Sequence, residues 1–119
     1  MDNFIAKNVQ VGVHFIYNIN DIDSNIINNH NNLKQILDNL INKFNLSILN
    51  SVFHEFEPYG YTGLYLLSES HLSFHTWPEH NKICLDLFSC SKNINYESIV
   101  EFLKKSFKTN NINMLKINR

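Results

Sequence analysis

Between Leu67 and Glu79 the chain gathers its densest set of side chains able to do chemistry: Ser68, Glu69, Ser70, His71, Ser73, His75, Trp77 and Glu79. Hydroxyls close to imidazoles are the raw material of proton transfer and nucleophilic attack. In an extended strand His71, Ser73, His75 and Trp77 share one face, and Ser70, Leu72, Phe74 and Thr76 share the other. Bringing the Ser70 side chain toward His75 therefore requires a bend or a cut near residue 70. A serine-hydrolase reading has a Ser and a His but lacks the Gly-x-Ser-x-Gly elbow and a clear third member. Histidines four residues apart on a strand are too widely spaced to ligate one ion, so no metal is expected. The plain alternative is two paired strands whose histidines are satisfied by hydrogen bonds.

The two cysteines stand six residues apart. On one strand they would share a face with their sulfurs roughly 20 Å apart, too far to bond each other. Each reads alone as a small buried hydrophobe, and as a reactive thiol only with further argument.

These residues need a scaffold, and the apolar periodicity supplies one. Val9, Val11, Val13, Phe15 and Tyr17 alternate, which predicts a strand over 9–19. Asp21, Asp23 and Ser24 offer turn and cap chemistry. Ile26, Ile27, Leu33, Ile36, Leu37, Leu40, Ile41 and Phe44 then recur at helical spacing, predicting an amphipathic helix over about 24–44. Its polar face is mostly Asn, a poor helix former, so packing must hold it. Further strands are predicted at 46–56, 61–67, 70–77, 82–90 and 112–117. A second helix is predicted at about 96–108, capped by Asn95. The order implies an α+β fold: a two-layer sandwich of a mostly antiparallel sheet with two helices on one face. The other sheet face carries many aromatic and apolar residues, and is expected to pack on a second subunit.

Composition narrows the functional classes. The chain has 119 residues, 44% of them hydrophobic, with nine Phe, five Tyr and one Trp, enough for a core of its own. Ten basic and eleven acidic residues leave a net charge of −1, which gives no electrostatic case for nucleic acid or an anionic membrane. No apolar run approaches the ~20 residues that span a bilayer. The N-terminus lacks a signal-like pattern, so a cytoplasmic location is expected. Twenty Asn are interleaved with periodic apolar residues, so they read as a compositional habit and not as a linker. One domain over 1–119 is the expected organisation.

The run Ser68-Glu69-Ser70-His71-Leu72-Ser73-Phe74-His75-Thr76-Trp77-Pro78-Glu79, followed by Leu85-Asp86-Leu87-Phe88-Ser89-Cys90, resembles the core of prokaryotic S-adenosylmethionine decarboxylase proenzymes. Phe53-His54-Glu55-Phe56-Glu57-Pro58-Tyr59-Gly60, Gly63 and Gly12-Val13-His14 fit at compatible spacings.

The resemblance implies a pyruvoyl cofactor made from Ser70, because decarboxylation needs a carbonyl electron sink that no ordinary side chain provides. It implies self-cleavage between Glu69 and Ser70 into a β chain, 1–69, and an α chain, 70–119. His75 would be the processing base, and Cys90 the proton donor in turnover. Phe56 and Trp77 would hold adenine, Glu79 the ribose hydroxyls, and Leu72 an apolar wall near the base. Thr62 and Ser68 would support processing. Cys84 matches no functional position and reads as packing.

The implied product is the aminopropyl donor for spermidine synthesis, and the implied assembly is a dimer of processed protomers. Some positions depart from the usual pattern. Glu55 stands where relatives often carry a basic residue, Ser91 where Gly is common, and Val13 where Arg is frequent. Two alternatives therefore stay open: a pyruvoyl-dependent ornithine or arginine decarboxylase, for which the same sink would serve, and a non-catalytic regulatory homologue.

Overall fold

The computed structural model describes residues 9–91 and 93–119. Its strands are β1 (Val13–Ile19), β2 (Ile48–Glu55), β3 (Tyr61–Leu67), β4 (Ser70–Trp77), β5 (Lys82–Ser89) and β6 (Ile112–Asn118). Its helices are α1 (Ser24–Ile27), α2 (His30–Lys43) and α3 (Tyr96–Phe107). The strands form one sheet in the order β2-β3-β4-β5-β1-β6, and each adjacent pair is antiparallel. The expected mixed α+β architecture with an antiparallel sheet and two substantial helices is present.

Alternation along the strands decides what each sheet face does. Phe15, Tyr17, Ile19, Tyr65, Leu67, Leu72, Phe74, Ile83, Leu85 and Leu87 are buried. They form one core with Leu33, Ile36, Leu37, Leu40 and Ile41 of α2 and Ile99, Leu103 and Phe107 of α3. Each such side chain contributes roughly 1.5–3 kcal/mol on burial, which is what holds the Asn-rich α2 in place. The opposite face carries Val52, Leu64, Leu66, Trp77, Leu115 and Ile117, all exposed. Where polar atoms enter the core they are mostly paired. Tyr65 donates its hydroxyl proton to Asp38 at 2.7 Å, and Lys34 reaches the other Asp38 oxygen at 2.9 Å. Among the described residues, no helix is long and apolar enough to cross a membrane.

Three predicted boundaries are corrected. The helix expected over 24–44 is two helices, because Asn28 caps the first and Asn29 the second. The Asn29 side chain accepts the Asn32 N–H at 3.1 Å, so it competes with the helical ladder at the point where continuity was expected. The first strand starts at Val13, not Val9. The N–H groups of Val11 and Gly12 instead both bond the Arg119 carbonyl, at 2.7 and 3.1 Å. Phe56 lies outside β2, where its N–H donates to Gly60 across a turn at 2.8 Å. Gly60 holds φ +114°, a conformation that only glycine adopts cheaply.

Candidate active site

β3 and β4 are joined by a two-residue turn, Ser68-Glu69, which makes Ser70 the first residue of β4. Glu69 sits at φ +61°, in the left-handed region that non-glycine residues enter at a cost of about 1–2 kcal/mol. Ser68 is exposed, and its backbone N–H ties the turn to the Ser47 carbonyl at 3.1 Å. Ser70 is only 8% exposed. The residue that closes over this turn is Cys90, immediately past the end of β5. Its backbone N–H donates to Ser70 Oγ at 3.3 Å, and its thiol donates to the Glu69 carbonyl oxygen at 2.8 Å. The hydroxyl of residue 70, the carbonyl it would have to attack and a thiol therefore converge at one point. A thiol bonded to that carbonyl polarises it and holds a transferable proton beside it.

His75 is not at this point. It lies five residues along β4, about 16 Å at strand rise, and on the opposite sheet face from Ser70. There it pairs with Thr62 of β3, with Nδ1 2.9 Å from Thr62 Oγ1. The Thr62 hydroxyl and the His75 ring make a unit whose other nitrogen, Nε2, faces outward with no bond to the described residues. The structure thus brings Ser70 and Cys90 together, brings Thr62 and His75 together, and keeps the two pairs apart.

The aromatic candidates are placed at the His75 end. An open cleft of about 660 Å³ is lined by Phe56, Glu57, Pro58, Tyr59 and Glu79, together with His30 and Glu55. Phe56 and Tyr59 are half-exposed rings, and Glu79 is exposed. Trp77 is exposed on the open sheet face and does not line this cleft. Leu72 is fully buried among core residues, so in this protomer it packs and presents no surface.

Sequence reading passed over Tyr59 and His30. His30 stacks flat on Tyr61 at 4.3 Å and holds Glu55 at 2.5 Å from its Nδ1. Burial, reinforced by the Glu55 charge, pushes the Tyr61 hydroxyl up from the ordinary tyrosine range. Only the Pro-Tyr-Gly turn hinted at Tyr59, and nothing local links residue 30 to residue 55.

Cys84 lies on the open face as the cross-strand neighbour of His75. It is partly buried and unbonded among the described residues.

The profile of the S-adenosylmethionine decarboxylase family matches residues 13–119. A protein of Picrophilus torridus named S-adenosylmethionine decarboxylase proenzyme is 34% identical over 111 residues, covering 93% of this chain and 85% of that protein. One of the same name from a Sulfurihydrogenibium species is 35% identical over 102 residues, covering 86% and 77%. In fold, the chain is similar to the crystal structure of the adenosylmethionine decarboxylase from Aquifex aeolicus, with a TM-score of 0.83 at 24% identity, covering 94% of this chain and 92% of that one.

Proposed function

The chain belongs to the S-adenosylmethionine decarboxylase family, and from that premise we propose how its own residues build and use the site. The activity is decarboxylation of S-adenosylmethionine, giving the aminopropyl donor of polyamine biosynthesis. The family works with a pyruvoyl cofactor. In this chain the residue that would carry it is Ser70.

Processing starts with Ser70 Oγ attacking the Glu69 carbonyl carbon. The Glu69–Ser70 C–N bond breaks, an ester forms and the residue 70 nitrogen is freed as an amine. A base removes the Cα proton of residue 70, and the ester leaves as the Glu69 carboxylate. Water then replaces the nitrogen, releasing ammonia. The products are a chain of 1–69 and a chain of 70–119. The convergence of Ser70 Oγ, the Glu69 carbonyl and Cys90 on one turn carries this reading. The left-handed Glu69 adds ground-state strain at the bond to be broken.

A pyruvoyl group at residue 70 supplies the carbonyl sink for the electrons left when CO₂ departs. The surroundings fit such a group: residue 70 is buried, and the Cys90 thiol stands beside it at the Glu69 carbonyl. Cys90 is the proton donor to the substrate α-carbon. Phe56 and Tyr59 hold the adenine by ring contact, and Glu79 accepts from the ribose hydroxyls.

The assembly is a dimer through the open sheet face. Two observations support it: Val52, Leu64, Leu66, Leu115 and Ile117 are exposed there, and His75 lies too far from residue 70 within one chain. A two-fold axis that exchanged the ends of β4 would meet both. It would set the Thr62–His75 unit of one protomer beside residue 70 of the other. His75 then serves as the base for the Cα proton.

The test is intact mass followed by a three-substrate assay with carboxyl-labelled S-adenosylmethionine, ornithine and arginine. Two fragments meeting at Glu69/Ser70 and CO₂ from S-adenosylmethionine are expected. A chain that stays whole after prolonged incubation refutes the processing scheme. Glu55 and Glu57 at the cleft are the feature that would favour a cationic amino acid, and CO₂ from ornithine or arginine alone would transfer the assignment to it.

A further inference from the structure

On the open sheet face, outside the cleft, three polar side chains converge on one carboxylate. Asp86 of β5 lies opposite Ser73 of β4 and Ile16 of β1 in the sheet register. Its Oδ1 accepts the Ser73 hydroxyl proton. Its Oδ2 stands 2.7 Å from His14 Nε2 and 3.6 Å from His71 Nε2. The His71 ring is stacked on Phe88, with centroids 5.8 Å apart and planes 25° off parallel, and meets the edge of His14. Arg119 is 3.1 Å from His14 Nδ1. A guanidinium can only donate, so that nitrogen keeps its lone pair and the His14 proton sits on Nε2, facing Asp86.

Both β4 residues held by Asp86, His71 and Ser73, lie within three positions of residue 70. We infer that Asp86 is the hub of a clamp that holds the cut end of β4 after processing, with Asp86 and His71 as positioning residues for the group at residue 70. This rests on the self-cleavage proposed above. Before cleavage, residue 70 is held covalently by a two-residue turn. Afterwards it is a chain terminus at a strand end, where ladders fray. Three side-chain contacts then replace the lost covalent tie: the Phe88 stack, the His71 contact with Asp86 and the Ser73 bond. A 3.6 Å contact alone is weak, but here it is joined to a stack and to the Ser73 hydrogen bond on the same carboxylate.

The same atoms could be read as a metal site, since His14, His71 and Asp86 offer ligand atoms all within 4.8 Å of one another. The Arg119 contact opposes that reading. A metal on His14 Nε2 would put the imidazole proton on Nδ1, against a guanidinium that has only donors, and would set a second positive charge beside it.

The test is Asp86→Asn, which keeps shape and removes charge, made in the processing chain and in the uncut Ser70→Ala chain. Amide hydrogen exchange at residues 71–73 is the readout. In the cut protein, exchange should rise about tenfold or more, and in the uncut chain by less than about threefold, because the turn still holds the strand end. His71→Phe, which keeps the stack and loses the contact with Asp86, should show the same asymmetry in smaller measure. In turnover, Asp86→Asn should lower kcat with little change in KM. Equal exchange changes in cut and uncut chains would reduce the cluster to ordinary sheet stabilisation and overturn the clamp. One zinc per chain, lost in Asp86→Asn, would overturn it in favour of a metal site. A wild-type chain that never cuts would overturn both the clamp and the processing reading, whereas normal cutting with unchanged exchange would overturn the clamp alone.

Discussion

Mixing two inactive variants tests whether His75 acts across a subunit interface. Within one chain His75 and residue 70 are five residues apart along β4 and on opposite faces, about 16 Å, whereas proton removal needs roughly 3 Å. No rotamer of His75 covers that difference. Ser70→Ala has an intact His75 but nothing to cleave, and His75→Ala has an intact Ser70 but no base. Each alone should remain one chain. Unfolded together and refolded as a mixture, they form hybrid dimers in which one site combines Ser70 of the second chain with His75 of the first. With random pairing at equal concentrations, about half of the His75→Ala chains fall in hybrids, so about half should be cut. Intact mass resolves this directly, since the 70–119 fragment can come only from the His75→Ala chain. If the hybrid sample stays uncut while wild type, refolded in the same way, is cut, the base does not come from the partner. If His75→Ala cuts alone at the wild-type rate, His75 is not the base at all.

Cys90→Ala should still give both fragments, more slowly because the thiol no longer polarises the Glu69 carbonyl, while kcat falls by about a hundredfold or more; full activity would dismiss Cys90 as donor. Gly63→Ala would drive a Cβ into the Phe53 and Phe74 rings, the latter at 2.5 Å, and should lower stability by about 2–3 kcal/mol in a urea melt; an unchanged midpoint would mean those rings are not packed over β3 as described. Tyr17 has a buried hydroxyl without a hydrogen-bond partner among the described residues, and burial pushes both it and Tyr65 well above the ordinary tyrosine range. Raised values favour the neutral phenol in the fold. The stability they lend is therefore complete below the unfolded value of about 10 and is lost as pH rises beyond it. Tyr17→Phe should leave stability at pH 7 unchanged or about 1 kcal/mol higher, and should flatten the alkaline decline seen in thermal melts; a clear loss at pH 7 would show that the hydroxyl is satisfied.

Local pattern was enough to read the strands from Tyr61 to Trp77 and the faces they present, because alternation is a property of neighbouring residues. It also placed Ser70 and His75 on opposite faces before any coordinates, since that follows from parity along one strand. The Asn28-Asn29 break was hidden, because the apolar stripe continues through it while two side-chain caps interrupt the backbone ladder. Only the tertiary structure could decide that Cys90, twenty residues from Ser70 in sequence, lies over the bond to be cut. That contact depends on β4 and β5 pairing in one register, and periodicity does not carry register between strands. The meeting of His14, His71, Ser73 and Asp86 is decided in the same way. β1 enters the sheet between β5 and β6, and this long-range ordering is what places His14 beside a carboxylate seventy-two positions away.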